Sequence, residues 1–485
     1  MNEKQPEPKE KKPRVTPTVS AILETGAIVE MVSRPEEKRT AYAVYREGDW
    51  VLESAIAVSP TERLVPYSPG NNLLQHGVVL LPSEPKEYGT ESELLSEIRS
   101  FIHHYVDISP LFEEISSYYV LLSWIYDSFN ELPYLRVRGD FGSGKTRFLL
   151  TVGSLCYKPI FATGASTVSP IFRILDVFRG TLVIDEGDFR FSDEKAEIVK
   201  ILNQGNAKGF PVLRSEAVDK KEFDPRAYSV FGPKIVATRG FFEDRALESR
   251  FLTEEMGHSK LREDIPISLP DCQKEEALHL RNKLLLFRFR NLQRPKTTEP
   301  PVDRGLEPRL AQIFSPLLSV MRDEGARVAL LDLARRYQRE LVSERGMDTE
   351  AQILEIIREL KSSSPDGRLS IRDIASLFSA RYGGEYEKPV TAKWIGHLLR
   401  KKLHLKPEKS HGIYVLSISE DSVLGHLYEK YGLTGEETEP SERDVRVDVG
   451  DLGDIATGSA SEEARQIKGE DFAGIAGGAA TPGLL

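Results

Sequence analysis

From Thr16 to about Tyr88 the chain reads as strands. GAIVEMV, TAYAVYR, DWVLESAIAV and HGVVLLP are short apolar-rich runs separated by polar and Pro/Gly clusters, the pattern of a small β-rich domain. From Thr90 to Phe129 the period turns helical. Leu94, Leu95, Ile98, Phe101 and Ile102 recur at a spacing that makes one buried face, and Phe112 to Phe129 predicts a second helix rich in Tyr and Leu. His103 and His104 are adjacent, so on a helix they point apart; they read as surface and packing residues rather than ligands. Beyond Pro133 short apolar runs alternate with helical ones: Tyr134 to Val137, Arg147 to Leu155, Pro159 to Phe161, Ser169 to Phe178, Leu182 to Ile184, Asp193 to Leu202, and Tyr228 to Thr238. Strand–helix alternation of this kind predicts a parallel sheet flanked by helices. Leu278 to Arg290 (LHLRNKLLLFRFR) reads as an amphipathic basic helix, more in keeping with a packed lid than with a DNA contact.

These shifts divide the chain into an arm expected to be disordered (1–15), a β-rich N-terminal domain (16–88), a helical connector (89–132), an α/β core (133–256) and a helical lid and linker (257–348). A last folded unit (349–432) and an acidic tail expected to be disordered (433–485) follow.

With 485 residues the chain is too long for one core. Its 40% apolar and 29% charged content are those of an ordinary globular protein. No run approaches the ~18 consecutive apolar residues of a membrane span, and the charged, proline-rich start MNEKQPEPKEKKPR is not a secretory signal. Cys156 and Cys272 are the two cysteines, so disulfides do not organise the fold and no Cys/His cluster has zinc spacing. A cytoplasmic protein with no membrane partner is expected. The net charge of −10 argues against nucleic acid only until it is located: from Thr434 onward 12 acidic and 4 basic residues account for −8 of it. The folded body is close to neutral and compatible with DNA binding through local basic patches.

The candidate chemistry begins at LPYLRVRGDFGSGKT (132–146), a short strand followed by the pattern G-x-x-x-x-G-K-[ST] and then a helix. Gly139, Gly142 and Gly144 let the backbone of Gly139, Asp140, Phe141, Gly142, Ser143 and Gly144 curl with its N–H groups toward phosphate oxygens. The helix start adds a favourable dipole. Lys145 is placed to reach the β- and γ-phosphates of ATP, and the Thr146 hydroxyl to ligate Mg2+. About forty residues on, Leu182-Val183-Ile184 ends in Asp185-Glu186, an apolar strand closing in two carboxylates. Asp185 is expected to hold the Mg2+ and its waters, and Glu186 to polarise the attacking water.

GDFGSGKT, VIDEGD, KIVAT and ALESRF, in this order, resemble the AAA+ ATPases. More narrowly they resemble the ring helicases of the minichromosome-maintenance and virus or plasmid replication type. The stretch is also similar to an ATPase domain of mobile-element replication proteins in which VFGPKIVAT precedes ALESR. The resemblance spans about residues 130 to 320. It implies a homo-hexamer or other ring and a polar sensor at Thr238, where many relatives carry Asn. It implies that Arg250 is an arginine finger supplied to the neighbouring subunit's nucleotide, with Arg245 as the competing candidate. It implies a second sensor arginine in the lid, for which Arg309 at the start of a helix is the candidate.

The last unit reads as three helices (Ile353 to Leu360, Ser370 to Tyr382, Thr391 to Leu403) and two strands around Ser410-His411-Gly412, the winged-helix order. Lys393, Arg400, Lys401 and Lys402 on its third helix, with Lys406 and Lys409 in the wing, suit contact with DNA phosphates; a protein-contact role is the alternative. Lys208 and Arg214, on or beside a turn, are candidate DNA contacts within a ring. Together these features predict an ATP-driven DNA motor, a replicative helicase or translocase. The alternatives are an ATP-regulated initiator or switch with slow hydrolysis, and an AAA+ protein remodeller.

Overall fold

Strands buried along their length must be covered on both sides, and two strands at the centre of the core are so buried: Tyr134–Arg138 except at its last residue, and Lys234–Thr238 throughout. The computed structural model describes residues 13–186, 193–219, 222–242, 244–257, 261–293, 305–346, 349–363, 368–383, 390–410 and 412–433. Most of the expected arm, all but the first residue of the expected tail, Gly187 and Asp188 of VIDEGD, and His411 of the wing turn lie outside these.

The N-terminal strands are β1 (Arg14–Pro17), β2 (Ser20–Ile22), β3 (Ile28–Arg34), β4 (Arg39–Arg46), β5 (Asp49–Glu53), β6 (Ile56–Ser59) and β7 (Glu62–Val65), followed by a one-turn helix α1 (Asn72–Gln75). They form an antiparallel sheet β2-β3-β4-β5 and a small sheet β1-β7-β6. Helices α2 (Glu91–Tyr105) and α3 (Pro110–Trp124) follow. Thr90 and Glu93 make a reciprocal capping box at the start of α2; Ser109 caps α3, with Pro110 at its first position.

The core comprises β8 (Tyr134–Arg138), α4 (Lys145–Leu155), β9 (Ile160–Thr163), α5 (Val168–Phe178), β10 (Leu182–Asp185), α6 (Asp193–Gln204), a hairpin of β11 (Val212–Asp219) and β12 (Glu222–Tyr228), β13 (Lys234–Thr238), α7 (Arg245–Glu248) and β14 (Phe251–Glu255). Its five-stranded sheet has the order β14-β8-β13-β10-β9, and every pairing is parallel. Tyr228 to Thr238 is not one strand: Gly232 and Pro233 fall between β12 and β13, and the first part pairs with β11 instead. Helices α8 (Cys272–Asn291), α9 (Pro308–Val320) and α10 (Glu324–Gly346) follow.

The C-terminal part contains α11 (Thr349–Ser362), β15 (Leu369–Ser370), α12 (Ile371–Tyr382), α13 (Ala392–Lys401), β16 (Glu408–Ser410), β17 (Ile413–Leu416) and α14 (Asp421–Lys430). It closes its own core around Ile357, Ile374, Phe378, Ile395, Leu399 and Leu416, with the strands in the order β15-β17-β16. No helix among the described residues is long and apolar enough to cross a membrane.

Two expectations are corrected here. The N-terminal strands do not enclose a core of their own. Ile28 and Val32 of β3 join the cluster around α2, α3, α4 and α8, while Val29 and Met31 join the one around β9, β10 and α5. Alternation along β3 therefore feeds two cores at once. Helix α8 is not amphipathic: Leu284 through Phe289 are all buried, Arg288 among them, and Arg281 is buried beside them. Arg281 donates to the Ser154 carbonyl at 2.8 Å.

Arg288 enters a charged cluster at the seam. Glu30 of β3, 1% exposed, accepts from Arg288 Nε at 2.8 Å and from the Tyr157 hydroxyl at 2.8 and 2.9 Å. Lys158 Nζ lies 2.8 Å from the same carboxylate. Arg288 also binds Asp127 at 2.6 and 3.0 Å. Glu30→Gln takes the paired carboxylate from buried Lys158 and leaves Arg288 with Asp127 alone, and the expected loss is about 3–5 kcal/mol of unfolding free energy. Arg46→Ala, which breaks a solvent-exposed pair with Glu53, is expected to cost less than about 1 kcal/mol. Denaturant titration of the two variants beside the wild type checks the contrast.

Candidate nucleotide site

Because β8, β10 and β13 run parallel, the segments leaving their carboxyl ends open on one edge of the sheet. The loop after β8 needs its glycines. Gly142 and Gly144 hold φ of +75° and +92°, and Gly144 is the residue before the first turn of α4. A Cβ on Gly139 would stand 2.4 Å from the Met256 carbonyl oxygen. Lys145 Nζ donates to the carbonyls of Gly139 and Asp140, each at 2.6 Å. Thr146 Oγ1 donates to Asp185 Oδ2 at 2.7 Å. The other Asp185 oxygen accepts from the Glu186 backbone N–H at 2.9 Å. Glu186 is exposed and turns there with a φ of +54°. Gly164 permits this by close approach, since a Cβ on it would lie 2.3 Å from the Glu186 carbonyl oxygen.

A cleft of about 600 Å³ opens over the loop. Asp140, Phe141 and Ser143 line it from the loop itself, with Asp107, Arg147 and Arg239 around them. Sequence reasoning missed the last three. Arg239 stacks its guanidinium 3.7 Å from the Phe141 ring centroid. Arg147 donates to the Pro266 carbonyl at 2.5 Å and also to that of Ile267, fastening that segment across the start of α4. Thr238 ends β13 beside Arg138, is 1% exposed, and donates from its hydroxyl to the Gly240 carbonyl at 3.0 Å.

The residues fit a magnesium–nucleotide. A curled loop ahead of a helix N-terminus suits phosphate, and a hydroxyl 2.7 Å from a carboxylate is a hard-oxygen pair of the kind Mg2+ takes beside phosphate oxygens.

Arg250 and Arg309 lie elsewhere. Phe251 pairs with Tyr134 at the start of β8, whereas the phosphate loop leaves β8 after Arg138, about 13 Å further along. Arg250 is half-buried. Burial, and next the neighbouring Arg309 charge, hold its pKa below the usual guanidinium range. Arg309, the expected second sensor arginine of the lid, sits beside Arg250 near Tyr134, where α9 packs against α3 and α10. One of its amino groups, Nη2, is buried without a hydrogen-bond partner. Arg245 is exposed on α7.

Of the basic candidates, Lys208 donates to the Asp127 carbonyl at 2.7 Å, and Arg214 on β11 pairs with Glu197 at 2.8 Å. Lys393, Arg400, Lys401, Lys402, Lys406 and Lys409 are exposed in the C-terminal part. Lys402 lies 3.8 Å from Glu350, and Arg400 lies over Tyr414 at 6.0 Å.

Lys234, at the start of β13, is fully buried. Its ammonium donates to the carbonyls of Gly205, Val230 and Gly232 at 3.1, 2.9 and 2.9 Å.

No family model matches the chain, and no curated protein matches it. Among solved structures it is similar to the apo C-terminal region of NrS-1, at 11% identity over 80% of this chain and 96% of that one, with a TM-score of 0.34. It is similar to the structure titled SCCmec type IV Cch, active helicase, at 10% identity over 84% and 80%, with a TM-score of 0.36. It is also similar to CDC6P from Pyrobaculum aerophilum, at 12% identity over 73% and 99%, with a TM-score of 0.19. Likeness this low fixes neither fold nor activity.

Two outcomes follow from the geometry. Gly139→Ala is expected to weaken binding of a fluorescent ATP analogue more than tenfold, about 1.4 kcal/mol, since the added methyl meets the Met256 backbone as well as the Ser143 side chain; a binding titration reads it. Burial pushes the Lys234 pKa down to about 7, from 10.5 in the unfolded chain. The unfolded state therefore holds a proton that the folded state has lost between those values. The penalty is fully present below pH 7 and is relieved as pH rises toward 10.5. Relative to Lys234→Met, the wild type should gain stability across that window, at no more than about 1.4 kcal/mol per pH unit; chemical denaturation of both proteins at pH 6.5, 8 and 9.5 (values chosen on either side of about 7) reads the difference.

Proposed function

We propose that this chain is an ATP-hydrolysing DNA motor of the AAA+ type, a ring-forming helicase or translocase working in the cytoplasm. The observation that carries the reading is the 2.7 Å bond between Thr146 Oγ1 and Asp185 Oδ2 at the mouth of the phosphate loop. These two groups would hold Mg2+, which when bound neutralises charge on the phosphoryl group in flight. Lys145 exchanges its two loop carbonyls for the β- and γ-phosphate oxygens. Glu186, displayed at the strand end, accepts a proton from the attacking water and aims it. Thr238 contributes its hydroxyl at the neighbouring strand end.

Arg250 serves a second copy of the chain. It stands at the end of β8 opposite the loop, so its own nucleotide is out of reach. The nucleotide of an adjoining subunit is the one it can meet, and Arg309 travels with it. DNA contact falls to the exposed cations of α13 and the following strands, arranged in winged-helix order: Lys393, Arg400, Lys401, Lys402, Lys406 and Lys409. Lys208 and Arg214 are committed to Asp127 and Glu197 within the chain. That commitment favours, as a second reading, an ATP-controlled initiator that holds DNA by the C-terminal part alone.

Steady-state ATP hydrolysis with and without single-stranded DNA tests the proposal. DNA should stimulate the wild type. Lys145→Ala and Glu186→Gln should be inactive, and Arg250→Ala should lose on the order of 10³-fold. Mixing Arg250→Ala with Glu186→Gln should restore activity, because an intact site then meets an intact arginine across one interface. If DNA changes nothing while ATP still drives assembly, the motor reading fails and the initiator replaces it.

A further inference from the structure

Arg250 is held by amides. Its Nε donates to Asn206 Oδ1 at 2.9 Å, and its Nη1 donates to Asn203 Oδ1 and, at 2.6 Å, to the Ala246 carbonyl. A carboxylate is close at hand, yet it is not the partner. Asp244 Oδ2 accepts instead from Asn203 Nδ2 at 2.5 Å, and Asp244 Oδ1 caps α7 by accepting from the N–H groups of Ala246 and Leu247 at 2.9 and 3.2 Å. Asn203 therefore stands between Asp244 and Arg250. Because its NH2 faces the carboxylate, its carbonyl oxygen must face the guanidinium. Burial works to raise the Asp244 pKa, but the hydrogen bonds from Asn203 and the α7 backbone outweigh it and hold the group below its usual value, charged.

Asn206 is rooted more deeply. It is 3% exposed, and its backbone carbonyl accepts from Leu132 N–H at 2.9 Å, tying it to the entry of β8. The Arg250 carbonyl accepts from Tyr134 N–H at 2.9 Å in the same place. Backbone and side chain of Arg250 are thus both fixed, while no carboxylate among the described residues bonds its guanidinium directly.

An arginine that only packs a subunit gains most from a carboxylate, since charge-assisted bonds are roughly twice as strong as neutral ones. Arg136, on β8 in the same sheet, shows that alternative: it is buried and binds both oxygens of Glu248. An arginine that must deliver charge to a phosphate is better held by neutral acceptors, which orient the planar fork without cancelling it.

We propose that Asn203 and Asn206 are the positioning residues of Arg250, orienting its guanidinium and keeping Asp244 off it so that the full charge is presented to the triphosphate of a neighbouring copy. This rests on the reading that Arg250 acts across a subunit interface. Nothing in the sequence patterns around Asn203 and Asn206 points to the role; it emerges from where α6 ends.

The test uses the full chain with Asn203→Asp and Asn206→Asp, each changing one amide to a carboxylate of the same shape. Each places a negative charge directly on Arg250. Expected is a fall in kcat of at least tenfold (about 1.4 kcal/mol) with KM for ATP and the ATP dissociation constant within about twofold. Mixing either variant with Glu186→Gln should restore activity, and mixing with Arg250→Ala should not, since both would then lack a working arginine. Adding either change to Arg250→Ala should cost nothing further. A loss of fold alone would not reproduce this pattern of complementation. Should buried Asn206→Asp fail to fold, the half-exposed Asn203→Asp carries the test. If both variants keep wild-type kcat while Arg250→Ala is inactive, the positioning role is overturned and the arginine reading stands. If Arg250→Ala itself keeps full kcat, both fall together.

Discussion

A single buried carboxylate, Glu30, sets how the N-terminal strands join the rest of the protein. Two cations and a phenol converge on it: Arg288 from α8, Lys158 from the turn between α4 and β9, and the Tyr157 hydroxyl. Asp127 supplies the second negative charge, so two carboxylates face two cations. Burial pushes the Lys158 pKa down to about 8, and the Glu30 charge opposes that push. Burying such a cluster gains little net energy compared with apolar packing. What it supplies is intolerance of misplacement, because each member is costly if any other moves away. The β3–β4 sheet is thereby held in one register against the nucleotide core, with alternate residues feeding two hydrophobic clusters.

The sheet order then distributes the chemistry. With β13 lying between β8 and β10, Thr146 at the start of α4 and Asp185 at the end of β10 reach across one intervening strand to meet. Thr238 ends that intervening strand, and so it sits between them. The same parallel arrangement sends Arg250 and Arg309 to the opposite end of β8. On the proposed reading, a phosphate loop at one end of the strands and a pair of guanidinium groups at the other do not serve one nucleotide. The separation is a consequence of strand length, about 13 Å, and no side-chain rearrangement within one subunit removes it.

Legibility in the sequence followed the range of the interactions. The phosphate loop is a local device: Gly142 and Gly144 are needed for their own φ, Lys145 and Thr146 for their place at the helix start, and all fall within eight residues of Gly139. The acidic strand is equally local. The hairpin β11–β12 was not legible, because its charged residues break the alternation that marks a strand and because β12 runs almost into β13. The burial of Arg288 was illegible for another reason. Its partner Glu30 is 258 residues away, so in LHLRNKLLLFRFR the arginine looks like the polar side of an amphipathic helix. The start of α9 near Arg309 was readable from Pro308, yet its destination depends on packing against α3 and α10, which no local pattern records.

Positive charge divides into two kinds, and the division bears on the proposed contact with DNA. Within the core some arginines are consumed by carboxylates: Arg136 by Glu248, and Arg288 by Glu30 and Asp127. In the C-terminal part Lys393, Arg400, Lys401, Lys406 and Lys409 stand exposed around α13 and β16, next to the half-exposed Tyr414 ring. Side chains of the first kind fix geometry and are indifferent to salt, being screened little once buried. Those of the second kind, in the proposed DNA contact, would act through counterion release, which weakens steeply as salt rises. On the proposed reading this separates catalytic precision from grip, and Arg250, held by two neutral amides, is a core arginine with no carboxylate bonded to it among the described residues.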